Sequence, residues 1–324
     1  MLNARFALMK SIDVLLLSRQ DILNLDLTPR EVVQVVESAL REHAAGTYEM
    51  HPKIGVHPTG TDPANFIHAM PAYLKLLGAC GLKWVAGFAR NYQRDLPNVT
   101  GVQVYNDTET GTPLAIMDCG YLTGLRTAAV SAIAAREGCR EGAEVLALAG
   151  CGFEGTMHLR FITHEIPTIR RVRLRDIREQ AMTTLRKSAA SYFPGEIEIC
   201  PDTRSCLEGA DVISTCTNGE EPLVRPEWFK PGAVAVGSKA DAPLPPRLCT
   251  ARTSLSSTTC HWPSISTRSV AIALPRTAAP ILSFLAECRT SMAPLVNWLP
   301  ARSGDARTPT SGSLPFLSAW PFVI

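Results

Sequence analysis

The ten cysteines include no CxxC pair, and no His/Cys cluster falls at metal-ligand spacing. That argues against a zinc-stabilised module and against a disulfide framework. Scattered free thiols are expected instead, in a reducing, cytoplasmic compartment. An uninterrupted apolar run of about 18 residues, the minimum for a membrane helix, is also missing. The nearest, "VAIALPRTAAPILSFLAE" at 270–287, is broken by Pro275, Arg276 and Pro280. "VLLL" at 14–17 is far too short for a secretory leader. Nor is there a charge imbalance. Lys and Arg number 32 against 30 Asp and Glu, for a net charge of +2. Such a surface has no general pull toward nucleic acid or an anionic membrane, so neither is expected as a partner. No internal repeat is visible. What remains is a chain of 324 residues, 46% hydrophobic and 19% charged. It can bury a sizeable core, and two domains are the natural expectation.

The first part reads as one helix packed on a strongly stranded sheet. "SIDVLLLSRQDIL" gives a strand turning into a short helix. Thr28, Pro29 and Gly46 are start and stop signals for the helix between them. Val32, Val33, Val36, Leu40 and Ala44 share one face of it at helical spacing. Strands follow at "HPKIGVHP", "NFIHAMPAYL", "ACGLKWVAGF", "TGVQVYND" and "PLAIMDC", with a hairpin turn at "NDTETGTP". An Ala-rich helix should then begin near Thr123. Beyond it strands and helices alternate through "AEVLALAG", "RRVRLRD", "EIEIC", "ADVIST" and "AVAVGS". That alternation predicts a doubly wound α/β sheet.

"LALAGCGFEG" is the most informative motif, because it follows a predicted strand and opens a predicted helix. Gly150 permits the tight turn, Gly152 lets backbone approach a pyrophosphate, and Gly155 allows close helix–strand packing. The next strand ends in Asp176, placed to accept from an adenosine ribose. Asp at that position favours NAD over NADP, while Arg175 and Arg178 beside it keep NADP as the alternative. "STCTN", at the end of a later strand, offers Thr215 and Thr217 as small polar cofactor contacts. Cys151 reads as a small filler inside the loop.

Lys53, Lys83 and Arg126 each sit in or beside an apolar segment. They are either lysines and an arginine snorkelling from element edges or cations that clamp a small carboxylate. Arg126 also lies near a predicted helix N-terminus, where cofactor phosphate is a second candidate partner. His68 is open between a structural and a catalytic role.

These residues together resemble the ornithine cyclodeaminase/mu-crystallin family over roughly residues 12–243. The resemblance rests on "LLLSRQDIL", "PKIGVHP…HAMPAYL", "GLKWVAGF", "GTPLAIMDCGYLTGLRTAAVSAIAA", "LALAGCGFEG" and "ADVISTCTN". It implies an α/β fold, with a Rossmann-type sheet plus an α+β substrate and dimerisation domain. The expected division is 1–125 for substrate binding and dimerisation, 126–300 for the NAD-binding domain, and 301–324 returning to the first. It implies that Lys53 and Lys83 bind a carboxylate and that Arg126 serves the junction of substrate and cofactor. Arg126, Thr127, Gly150, Gly152, Phe153, Glu154, Gly155, Asp176, Arg178, Thr215, Thr217, Val236 and Gly237 become the expected NAD contacts. Asp241, with Lys83, becomes the candidate catalytic pair.

The implied reaction is hydride transfer at Cα of a small amino acid through an imine, as in an ornithine cyclodeaminase. The alternatives are a ketimine or pyrroline-2-carboxylate reductase, an amino-acid dehydrogenase, and an inactive cofactor-binding remnant. A small amino acid or cyclic imine is the expected substrate, and a homodimer the expected assembly. Two departures stand against the lyase. His68 occupies the place where cyclodeaminases tend to carry a glutamate. The stretch "VGSKADAP" lacks the Gly-Lys that normally follows the catalytic aspartate.

After Asp241 the composition changes. Glu287 and Asp305 are the only acids and lysine disappears. Pairing the third base of each codon with the first two of the next permits "LYRADK" and, after one further codon, "VVDDL" for 248–260, and "SLGMAICD" for 316–324. Both resemble family segments, so a single frameshift between about Ser238 and Arg247 is expected. Under that expectation the tail has lost its apolar periodicity and does not pack natively.

Overall fold

The computed structural model describes residues 11–58, 65–217 and 224–237, which fall into two compact units. The first comprises residues up to Leu27 and Gly46–Thr123. Its strands are β1 (Leu15–Leu17), β2 (Tyr48–Met50), β3 (Ile54–Val56), β4 (Phe66–Leu74), β5 (Ala79–Gly87), β6 (Val99–Asn106) and β7 (Pro113–Asp118). They form one sheet in the order β1-β7-β6-β5-β4-β2, with β3 also on β4. Only β1 runs parallel to its neighbour; the rest are antiparallel.

Ser18 starts the short helix α1 (Arg19–Leu23) through a reciprocal capping box with Asp21. The predicted hairpin joins β6 to β7, and the Asp107 carboxylate accepts the Glu109 and Thr110 N–H groups inside it. One face of the sheet is buried, with Met70, Ala72, Leu74, Val85, Tyr105, Ala115 and Met117 on it. The opposite face leaves Trp84 and its cross-strand partner Val102 exposed. Met50 pairs with Ala72 and Ile54 with Ala69, so an extra residue bulges between β2 and β3.

The second unit takes residues 28–45 and continues from Gly124. Thr28 starts α2 (Pro29–Ala45) by a capping box with Glu31, and Gly46 leaves it at φ +69°. Two expectations change here. The helix was expected on the first sheet, but it groups with the second unit, where Arg136 donates to Glu37 at 2.6 Å and also pairs with Glu165. Its buried residues are Pro29, Val32, Val33, Val36, Ala39 and Glu42, while Leu40 and Ala44 face solvent. The seam thus rotates along the helix, because what a helix covers is set by its neighbour and not by its own apolar count.

Helix α3 (Gly120–Gly138) begins three residues before the expected Thr123. Asp118 accepts the Gly120 and Tyr121 N–H groups at 3.1 and 3.4 Å and starts the helix earlier. The Thr123 hydroxyl instead donates back to the Cys119 carbonyl at 2.7 Å.

The remaining elements are β8 (Val145–Ala149), α4 (Phe153–Glu165), β9 (Arg171–Arg175), α5 (Glu179–Ala189), β10 (Glu196–Ile199), α6 (Thr203–Leu207), β11 (Val212–Thr215) and β12 (Val234–Gly237). The five strands are all parallel, in the order β10-β9-β8-β11-β12. The chain order therefore reverses between β8 and β11. In open α/β sheets, ligands bind at the carboxyl ends of the strands beside such a switch point. Asp211 anchors the opposite end of β11. It pairs with Arg140 and Lys230 and accepts the Glu144 and Val145 N–H groups. Among the described residues no helix is long and apolar enough to cross a membrane.

Candidate functional site

The glycine loop lies at the switch point. Gly150 follows β8 at φ +99°, and a side chain there would run into the Cys216 carbonyl beyond β11. A side chain on Gly155 would strike the Gly150 carbonyl. Gly152 differs, since among the described residues beyond its chain neighbours only an Arg178 guanidinium nitrogen, at 3.7 Å, comes within 4 Å of its Cβ position. Two of the glycines are thus demanded by packing. The middle one keeps the backbone open where α4 begins, and free N–H groups at a helix start attract anions.

Asp176 closes this loop from the end of β9. One carboxylate oxygen accepts the Cys151 N–H at 2.7 Å and the other the Arg178 N–H at 2.9 Å. The Arg178 guanidinium lies 3.6 Å from the same carboxylate. The Cys151 thiol is buried and, with Asp176 beside it, is pushed up to about 12. It stays protonated, in keeping with a filler.

The carboxyl ends of the strands hold the remaining cofactor candidates. Cys216 donates its N–H to the Ala149 carbonyl at 2.7 Å, which ties β8 to the segment after β11. Thr217 places its methyl 3.0 Å from the Gly150 Cβ position. Thr215 and Gly237 are register partners, and the Thr215 hydroxyl lies 2.5 Å from where a Gly237 side chain would start. Val236 is buried within β12. Phe153 lays its ring over Gly124 of α3, so a larger residue at 124 would displace it. Glu154 stands in the first turn of α4. Arg126 and Thr127 are buried on α3.

Beneath the loop is a group that the sequence reading passed over. His158 of α4 is fully buried, and its Nδ1 lies 2.8 Å from the Ser214 hydroxyl of β11. Burial, with the charge of Arg126 second, lowers its pKa to about 4, so the imidazole is neutral at physiological pH.

In the first unit, Lys83 is 2% exposed in the middle of β5 and donates to the Thr123 hydroxyl at 3.3 Å. This is no snorkelling side chain; its ammonium is inside. Lys53 is half-buried within the β2–β3 bulge, a device that re-aims side chains. His68 stacks its ring on Phe66 at 4.2 Å and meets His57 edge-on at 6.4 Å. Gln103, which sequence reasoning did not single out, is completely buried opposite Lys83. A polar residue at buried parity in "TGVQVYN" was the signal that could have found it. Asp241 lies outside the described residues. Among the described residues no cluster of metal-ligating groups occurs.

The model of the ornithine cyclodeaminase/mu-crystallin family matches residues 13–248. The chain belongs to this family. Among relatives, the nodulation efficiency protein NfeD of Rhizobium meliloti is 33% identical over 224 residues, or 68% of this chain and 67% of that protein. Two solved structures of the family fold are similar. One is the Thermococcus litoralis Δ1-pyrroline-2-carboxylate reductase in complex with NADH and L-proline. It has a TM-score of 0.65 and 27% identity, covering 69% of each chain. The other is an archaeal alanine dehydrogenase dimer with bound NAD, with a TM-score of 0.62 and 31% identity over 68% of this chain and 65% of that one. The displaced-frame reading of the tail falls on residues outside the described ones, and these comparisons lend it no support.

Proposed function

We propose that this family member is an NAD-dependent oxidoreductase that moves a hydride to or from Cα of a small amino acid or its imine. The observation that carries this reading is the glycine loop itself, built at a switch point and closed by Asp176. The open backbone at Gly152 fits a dinucleotide pyrophosphate, and the second carboxylate lone pairs of Asp176 fit a ribose diol. NAD bound in other family structures supports the assignment, with NADP as the alternative cofactor because Arg178 lies beside Gly152. When bound, the nicotinamide supplies or accepts the hydride.

The protein's own residues supply the rest. Gly152, Phe153 and Glu154 would hold the cofactor by backbone N–H groups at the start of α4, with Arg126, Thr127, Thr215, Thr217 and Gly237 as further contacts. Lys83, with Lys53, would neutralise the substrate carboxylate and orient Cα. Asp241 remains the candidate for moving protons on and off the substrate nitrogen. Residues up to about 125 would form the substrate and dimerisation domain and those beyond it the cofactor domain. A homodimer, formed through the outward sheet face around Trp84 and Val102, is part of this proposal.

The reductase or dehydrogenase form is favoured over a cyclodeaminase by His68. Its ring is stacked on Phe66 at the position where the lyase would need a carboxylate. NADH fluorescence and turnover test the proposal. Oxidation of NADH by 1-pyrroline-2-carboxylate, or by pyruvate with ammonia, is expected. Ammonia released from ornithine without net NADH would favour the lyase instead. Absence of NADH binding would overturn both.

A further inference from the structure

We infer that Gln103 is a substrate ligand, its carboxamide serving the α-nitrogen and the carboxylate of an amino or imino acid beside Lys83. The inference rests on the function proposed above and adds a residue that selects nitrogen-bearing substrates.

Gln103 of β6 and Lys83 of β5 are direct cross-strand partners. Partners of this kind leave the sheet on the same face with Cβ atoms about 5 Å apart. Their neighbours in the same row are Met70 and Met117. Gln103 is 0% exposed, and neither its amide nitrogen nor its amide oxygen has a hydrogen-bond partner among the described residues. An unmet buried polar group costs roughly 1–3 kcal/mol, and this side chain has two. Leucine or methionine would fill the space between two methionines without that cost. A glutamine there weakens the resting fold, and a molecule that enters and leaves the row can recover the loss.

The chemistry of a carboxamide narrows what that molecule is. It presents a donor NH2 and an acceptor oxygen. A carboxylate only accepts, and an ammonium or iminium N–H only donates. A protonated α-amino or α-imino acid carries one of each on neighbouring carbons, so a single carboxamide meets both while Lys83 supplies the charge. A 2-oxo acid or a 2-hydroxy acid places oxygen where the nitrogen would be. The oxo acid has no donor there and leaves the amide oxygen unmet, the kind of mismatch that a polar site rejects strongly.

The test uses the full-length protein and Gln103→Met, which keeps the length of the side chain and loses both polar groups. Its apparent Tm is expected at or above that of the wild type. Its kcat/KM for 1-pyrroline-2-carboxylate should fall at least tenfold, and its calorimetric affinity for pyrrole-2-carboxylate, a planar non-reacting analogue, should fall in step. NADH affinity should not change. Gln103→Glu, which sets a negative charge against the carboxylate, should lose more. Wild-type turnover and analogue binding in Gln103→Met would overturn the inference, as would a lowered Tm, since that marks an amide already satisfied within the fold. A wild type that binds pyrrole-2-carboxylate in a Gln103-dependent way without oxidising NADH would overturn the proposed reaction and leave the ligand role standing. A wild type that neither binds the analogue nor turns over would overturn both.

Discussion

The Asp176 carboxylate accepts the N–H of Cys151 at 2.7 Å, so the end of β9 holds the middle of the glycine loop after β8. One side chain therefore shapes the loop and, under the proposed function, would also face the ribose of a dinucleotide. A charge-assisted hydrogen bond of this type contributes about 1.5–3 kcal/mol. Asp176→Ser is expected to weaken NADH about ten- to a hundredfold in a fluorescence titration. NADPH should lose far less, because the repelling carboxylate is gone and Arg178 remains. An equal loss for both cofactors would show that Asp176 acts only through the loop.

Gly150 is held at φ +99° against the Cys216 carbonyl. Gly150→Ala meets both the left-handed backbone penalty and a steric clash. A loss of about 1–3 kcal/mol in stability is expected, read as a lower denaturant midpoint at unchanged slope. Gly152→Ala meets no such clash among the described residues, where Arg178 at 3.7 Å is the near neighbour. It should leave the midpoint almost unchanged and weaken NADH.

Acid stability should fall in two adjoining windows. The folded pKa of His158 is depressed from 6.5 to about 4 by burial and by Arg126. Its neutral form is favoured in the fold, so its contribution is complete above 6.5 and is lost as pH falls to about 4. Burial alone would raise Asp211, but hydrogen bonds from Lys230, Arg140 and two backbone N–H groups hold it at about 2. Its contribution is complete above the ordinary 3.8 and is lost as pH falls toward 2. The shifts correspond to roughly 3 and 2 kcal/mol respectively. Unfolding followed from pH 7 to 2 should decline through both windows. His158→Gln should flatten the first and spare the second.

Arg136 bridges Glu37 of α2 and Glu165 of α4, and also pairs with Glu137. Arg136→Met leaves those carboxylates facing one another. A loss of about 1–3 kcal/mol is expected. Hydrogen exchange should rise in α2 before it rises in the second sheet. Uniform exchange across the unit would show that the bridge is not what holds the helix.

The sequence by itself determined what depends on neighbours along the chain. The turn glycines, the capping residues, the hairpin at 107–112 and the α/β alternation all follow from local rules of backbone and period. The order of glycine loop, helix, strand and terminal Asp176 was legible for the same reason, since the dinucleotide fingerprint lies within one β-α-β unit. Even locally the reading slipped where two caps competed. Thr123 looked like a helix start, and Asp118, nearer the N-terminus, took that role.

Only tertiary structure decided which distant residues share a surface. Periodicity said that α2 has an apolar face, but packing across the fold placed it in the second unit, where Arg136 reaches Glu37, and left Leu40 exposed. Period 2 put Lys83 and Gln103 each on one side of a strand. The register of β5 against β6 made them partners, and among the described residues the glutamine amide is left unmet on the buried face. His158 and Ser214 stand 56 residues apart and meet only because β11 lies beside β8. Sequence period fixes the direction of a side chain. Pairing across the fold decides what it faces, and the chemistry of the candidate site lies in those pairings.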